Sequence, residues 1–226
     1  MPGQGRDGCC SVTPSVTLRE VRRPGGSARR TVPAIPPILP IWAIAAAVNA
    51  VAAIALATVL APGVSLAYGP ANATYVAAHL ELWRAGWALW ILAAISLFAF
   101  FGWWAARAGR TGVARIAVAI AALGVVADVT AEAQLIAWSA DIDVSAALRQ
   151  SGVIANACYS LAGALLMVAT RGLPRLLALW GWTVWALGAG LSIAAATSSD
   201  IGSEVLTAAL FVLFIPWLIA VGRRLS

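Results

Sequence analysis

Six stretches of this chain are apolar over roughly 20 residues or more, the length of helix needed to cross a hydrocarbon core of about 30 Å. They cover residues 41–61, 77–106, 112–138, 151–170, 176–197 and 201–221. No other feature limits the fold as strongly. In lipid a spanning segment must satisfy its own backbone N–H and C=O groups, which leaves the α-helix for an apolar run of this length. Only 11% of the 226 residues are charged, too few to cover the surface of a soluble domain. The expected fold class is therefore all-α, a polytopic membrane protein of six transmembrane helices occupying residues 41–226.

Residues 1–40 read differently. They are rich in Gly, Pro, Ser and Arg, lack apolar periodicity and end in Pro36, Pro37 and Pro40, which predicts a disordered cytoplasmic tail. Neither Arg29-Arg30 nor Cys9-Cys10 stands beside an apolar run of signal-peptide length. The first run itself is longer than a signal core, so it is expected to stay as a helix despite the small residues Ser65 and Ala67 after it. Orientation follows from arginine placement. The tail, the turn with Arg107, Arg110 and Arg115, the turn with Arg171 and Arg175, and the end with Arg223 and Arg224 are basic. The alternate connections carry Asp141, Asp143, Asp200 and Glu204, with Arg149 as their one arginine between spans. The positive-inside rule then puts both termini in the cytoplasm and the protein in a bacterial-type cytoplasmic membrane.

Several chemistries are excluded by residue type alone. All 15 basic residues are arginine, so there is no lysine for a Schiff base or a Walker-type phosphate site. His79 is the only histidine, which removes bis-histidine haem and histidine-triad zinc, and the three cysteines have no metal-knuckle spacing. No cofactor or metal is expected. The basic pI near 10.2 does not indicate a nucleic-acid partner, because the arginines sit mostly at the ends of apolar runs.

Polar chemistry inside the spans is concentrated on two of them. Asp128 and Glu132, four residues apart, share one face of the third span about 6 Å apart along its axis. An ionised aspartate at mid-helix costs about 2.5 to 3.5 kcal/mol on insertion scales, so Asp128 must be paired, hydrated or protonated. Arg84 in the second span is the expected partner. Asn156, Tyr159, Ser160 and Gly163 follow one face of the fourth span, which should turn away from lipid. Asn49, Ser192, Glu204 and Thr207 could extend this polar set from the other spans. Together Arg84, Asp128, Glu132, Asn156, Tyr159 and Ser160 form a candidate pocket for a small solute or protons in the outer half of the bundle, with His79 and Glu81 at its rim. The alternative is an accessory or structural membrane subunit in which Arg84 pairs with Asp128 or Glu132 and nothing is carried. A second alternative is an intramembrane enzyme using the carboxylate pair, although the Gly-Asp setting of aspartyl proteases and a Gly-x-Ser-x-Gly elbow are both missing.

Two sequence patterns bear on architecture. Trp83, Trp87 and Trp90 make an i, i+4, i+7 stripe, expected as an interfacial anchor and packing surface, or else as a stacking face for a flat or cationic ligand. Gly86-Trp87-Ala88-Leu89-Trp90 echoes Gly181-Trp182-Thr183-Val184-Trp185, which could mark two inverted three-helix repeats or simply interfacial tryptophan. The stretches Leu82-Trp83-Arg84-Ala85-Gly86-Trp87, Asp128 to Glu132, Asn156 to Ser160 and Leu173-Pro174-Arg175 resemble multi-pass membrane proteins of bacteria with no established activity. The resemblance runs from Leu82 onward and implies fold and location, with no ligand or catalytic residue to carry over. Expected partners are the lipid bilayer, a small solute or protons, and a second copy or a larger membrane complex.

Overall fold

The computed structural model describes residues 40–65, 67–139 and 144–226. The predicted tail before Pro40, and Asp141 and Asp143, lie outside the described residues. Seven helices are described: α1 (Ile41–Gly63), α2 (Pro70–Ala78), α3 (Leu80–Ala105), α4 (Thr111–Ile136), α5 (Val144–Ala169), α6 (Arg175–Ala196) and α7 (Asp200–Leu225). All but α2 are long and apolar enough to cross a membrane, and no strand occurs among the described residues. The protein is thus an all-helical bundle of six candidate spans.

Helix limits follow local chemistry. Pro40 and Pro174 cap α1 and α6 from extended conformations, as expected for a residue that fits a first turn without donating a hydrogen bond. Ser199 opens α7 by accepting from Gly202 N at 3.2 Å. Two differences from the expected spans stand out. The second run breaks at His79, so that residues 70–78 form the separate short helix α2, while α5 begins at Val144, seven residues before the expected start of the fourth span at Ser151. The break at His79 has a physical cause: it sits at φ −126°, ψ 32°, outside the helical region, where its ring stacks on Tyr75 at 4.5 Å. The early start of α5 buries Val144, Ala147 and Leu148 against Trp83 and Leu135, repaying helix formation in a segment with few long apolar side chains.

Both described chain ends lie at one end of the bundle, where Trp42 Nε1 donates to Ser226 Oγ at 3.0 Å and Arg107 Nε donates to the Leu225 carbonyl at 3.2 Å. Arg110, Arg171, Arg175, Arg223 and Arg224 flank helix ends here, and we refer to it as the arginine end. The half of the bundle nearest it is filled by rings. Phe100, Phe101, Trp104, Trp185, Phe214 and Trp217 are all buried, with centroid separations of 5.4 to 6.4 Å among their contacting pairs. Their indoles are tied to oxygens where they can be: Trp104 Nε1 donates to Thr170 Oγ1 at 2.8 Å and Trp217 Nε1 to the Leu177 carbonyl at 3.2 Å. Glycine makes room for this ring layer. The Gly163 backbone lies against the face of Trp185, and Gly222 against Trp42, leaving no space for a Cβ at either position. Outward positions such as Ile54, Leu123, Val126, Leu179, Ile193 and Val212 are exposed and apolar, the surface a lipid-facing bundle presents.

The inward turn of α3 bears on the tryptophan stripe. Trp83 and Trp87 are buried, and Trp83 Nε1 donates to the Leu135 carbonyl at 2.7 Å, so these two rings of the stripe serve as the packing surface that was expected of it. The pentapeptide echo is not matched in burial: Trp87 is 4% exposed while its counterpart Trp182 is 42% exposed.

Replacing Gly163 by Leu should displace Trp185 and lower the thermal midpoint in detergent, at an overpacking cost of about 1–3 kcal/mol. Gly102, around which a Cβ would meet nothing within 4 Å, supplies the control, and Gly102→Ala should leave the midpoint unchanged or raise it. Scanning fluorimetry of the purified variants checks both.

Candidate functional site

The centre of the site is the contact between α4 and α5. Asp128 is 4% exposed and both of its oxygens are engaged: Ser151 Oγ donates to Oδ1, and Tyr159 Oη donates to Oδ2 at 3.2 Å. The two donors are eight residues apart, two turns of α5, and they reach one carboxyl group because the helix is locally rewound. Residues Gln150–Ala155 adopt the wider π-helical winding, which turns Ser151 toward α4. Gln150, also in this segment, donates from Nε2 to the Ala127 carbonyl at 3.1 Å and to Thr130 Oγ1 at 2.7 Å, fixing the register of α5 on α4.

Glu132 is one turn nearer the far end of α4 and is fully buried. Neither of its carboxyl oxygens has a hydrogen-bond partner among the described residues. A buried carboxyl group so placed is costly unless a proton, water or ligand meets it, which makes it the least satisfied polar group in the bundle. A buried and unsatisfied carboxyl beside a buried and fully satisfied one is an asymmetric pair, able to share a proton or to hold a positive charge between them.

A cavity of about 460 Å³ leads to Asp128 from the end opposite the arginines, while Glu132 lies behind it and lines neither this cavity nor the smaller one beyond it. It lies between α1, α3, α5, α6 and α7, with Asp200 and Glu204 near the far end of α7 and Asp128 at its depth. From Asp200 to Phe211 the α7 wall rises about 16 Å, taking 1.5 Å per residue. A second, smaller cavity of about 80 Å³ continues inward past Asp128, Asn156 and Phe211 to Asn49, Tyr159 and Ser160. Beyond it the ring layer closes the bundle. The wall of α1 that borders the large cavity includes Leu56 and Ala57, within a second π-helical stretch, Leu56–Leu60. Both irregular windings therefore border the same space.

The structure brings together Asp128, Asn156, Tyr159 and Ser160, and adds Asn49, Glu204 and Thr207 along the two cavities. Asn156 Nδ2 donates to the Gly152 carbonyl at 3.2 Å, and Ser160 Oγ packs on Gly188. Ser192 instead bonds its own helix, donating to the Gly188 carbonyl at 3.2 Å, and lines neither cavity. Arg84 is not joined to the carboxylate face. Its Nη1 donates to Glu81 Oε1 at 3.1 Å in an exposed ion pair and its Nε donates to the Ile136 carbonyl at 3.2 Å, so the expected Arg84 bridge to Asp128 or Glu132 does not form. Asp128 precedes Ile136 by eight residues, or about 12 Å of helix, too far for a guanidinium held at the end of α4. His79 is exposed and bonds the Tyr75 carbonyl through Nδ1 at 3.0 Å, so it and Glu81 stay at the surface away from the cavity lining.

Ser151 and Trp87 are the site residues that the polar stripes did not single out. Ser151 stood at the edge of an apolar run, and only the π-winding turns it onto Asp128. Trp87 and Trp90 did stand in a conspicuous stripe, whose stacking alternative matches their position in the cavity wall. Among the described residues, no group of three His, Cys, Asp or Glu side chains is gathered to hold a metal ion.

Double-mutant cycles should separate contact from proximity. Asp128→Asn combined with Ser151→Ala, or with Tyr159→Phe, should deviate from additivity by about 0.5–3 kcal/mol, whereas Asp128→Asn with Arg84→Leu should be additive within about 0.5 kcal/mol. Thermal midpoints of the singles and doubles in one detergent provide the numbers.

Compared with known proteins, the chain matches no family model, no curated protein and no solved structure. The argument for function therefore rests on the site alone.

Proposed function

We propose that this protein handles a small solute or protons at the cytoplasmic membrane, through the cavity that ends on Asp128, with Glu132 one turn behind it. The observation that carries this reading is the buried Asp128 at the depth of a cavity large enough for a small molecule, with the unpartnered, fully buried Glu132 one turn behind it on α4. Proteins that only scaffold a membrane complex gain nothing from an unsatisfied carboxyl group in their interior, and ionisable groups inside spans are by default functional. The salt-bridge alternative also loses its basis once Arg84 pairs with Glu81. The ring layer between the inner cavity and the arginine end supports a pocket accessible from one side, as an alternating-access or receptor-like protein has in one of its states.

In this reading the arginine end faces the cytoplasm, with both termini there, and the cavity opens outward. Single cysteines introduced at Gly109 and at Ala67, in a background with Cys9, Cys10 and Cys158 replaced by Ser, test the orientation. An impermeant maleimide applied to intact cells should label the cysteine at position 67 and leave that at 109 unlabelled until lysis; the reverse pattern would invert the protein.

Proton handling has its own test. Infrared difference spectra of the lipid-reconstituted protein between acidic and alkaline buffer should contain a carboxyl C=O band that shifts or vanishes in Asp128→Asn and again in Glu132→Gln. Spectra identical to wild type in both variants would mean that neither group exchanges protons with the cavity, and the reading would fall.

A further inference from the structure

The chemistry of the cavity wall narrows what the pocket can hold. Its negative groups are Asp128 at depth and Glu204 and Asp200 nearer the opening, and among the described residues no arginine or histidine lines it. Asp200 is already engaged, accepting from Ser65 Oγ at 3.1 Å. Glu204 is exposed and makes no ion pair among the described residues. One side of the cavity is aromatic: Trp87 and Trp90 meet edge to face at 6.3 Å, and Trp90 meets Phe211 in the same way at 5.6 Å, giving a continuous ring wall from α3 to α7. Most of the remaining lining is aliphatic. An anion would meet carboxylates without a counter-charge, and an inorganic cation would have to shed its water against hydrocarbon. A neutral apolar solute would leave Asp128 with nothing to bind. Rings beside carboxylates in a water-poor cavity suit a cation that carries its own apolar body.

We propose that the cavity binds a soluble organic cation with an apolar, ring-sized body, its charge toward Asp128 and its body along Trp87, Trp90 and Phe211. This rests on the reading of the cavity as a binding pocket. The volume of about 460 Å³ lies within the range of roughly 300–1,000 Å³ usual for small-molecule pockets. Asp128, already held by Ser151 and Tyr159, needs no rearrangement to receive the charge, so the site is preorganised.

The test uses the full chain purified in a neutral detergent, with ethidium as the cationic probe and anilinonaphthalene sulfonate as an anionic dye of similar size. Ethidium should bind saturably, be displaced by tetraphenylphosphonium, and lose affinity by about tenfold, equivalent to ~1.4 kcal/mol, in Asp128→Asn. Glu204→Gln, at an exposed position where folding is not at risk, should weaken it about two- to threefold, the scale of an exposed charge interaction. Trp90→Leu should weaken binding while Trp90→Phe retains it, a split that simple loss of bulk does not predict. Equal saturable binding of the anionic dye, or ethidium binding unchanged in both Asp128→Asn and Glu204→Gln, would overturn the assignment. Absence of ethidium binding alongside normal proton exchange at Asp128 would reject the cation while the pocket stands. Absence of both would remove the pocket as well.

Discussion

Hydrocarbon offers no hydrogen bonds, so each polar group on these spans must find its partner inside the protein, and much of the architecture follows from how those partners are supplied. The side chain of Trp83 on α3 reaches the last turn of α4; that of Trp217 on α7 reaches the first turn of α6; that of Trp104 on α3 reaches the end of α5. Each indole spends most of its surface on apolar packing and its single N–H on a backbone carbonyl or a threonine hydroxyl near a helix end. These ties join two pairs of consecutive helices, α3 with α4 and α6 with α7, and bring α3 to α5 across the bundle. They also explain why so polar a feature as the Asp128 carboxyl group can be tolerated: α5 delivers two hydroxyl donors to it.

The donors arrive through an irregularity. A regular α-helix brings residues at intervals of three or four to one face, so Ser151 and Tyr159, eight apart, diverge by about 80° in an ideal winding of 3.6 residues per turn. Widening the helix over residues 150–155 absorbs that divergence and leaves the Gln150 side chain free to clamp α4. The corresponding widening in α1 borders the cavity from the other side. Such windings trade regular hydrogen bonds for side-chain placement, and they are found most often where placement matters. Their occurrence on two helices around one space, and not elsewhere among the described residues, singles out that space from the rest of the bundle.

What could be read from the sequence divides along the same line. The six spans were legible because lipid imposes a length and a composition that no neighbour can override. The shared face of Asp128 and Glu132, and that of Asn156, Tyr159 and Ser160, were legible because helical periodicity is local. Arg84 was assigned wrongly for the complementary reason. Charge and approximate depth suggested Asp128, but the choice of partner depends on reach, and Glu81 lies one turn away on the same helix. Ser151 escaped notice because its orientation depends on a π-winding that its own residue type does not announce. The tryptophan stripe was read as an anchor and packing surface, and its packing partner on α4 could not be named from the stripe itself.

The two halves of the bundle solve opposite problems. Toward the arginine end, glycines at 163 and 222 let rings pack against backbone, and the interior there is filled. Toward the far end, α1 and α7 carry alanine, serine and threonine where bulky residues would fill the space: Ala53, Ala57 and Ala61 on one wall, Ser203, Thr207 and Ala208 on the other. Small residues on facing helices usually bring them into close contact. Here they border a void instead, which costs packing energy that larger aliphatic side chains would recover. A cavity that persists under that cost, with a carboxyl group at its depth and rings along one wall, is space that an occupant would fill.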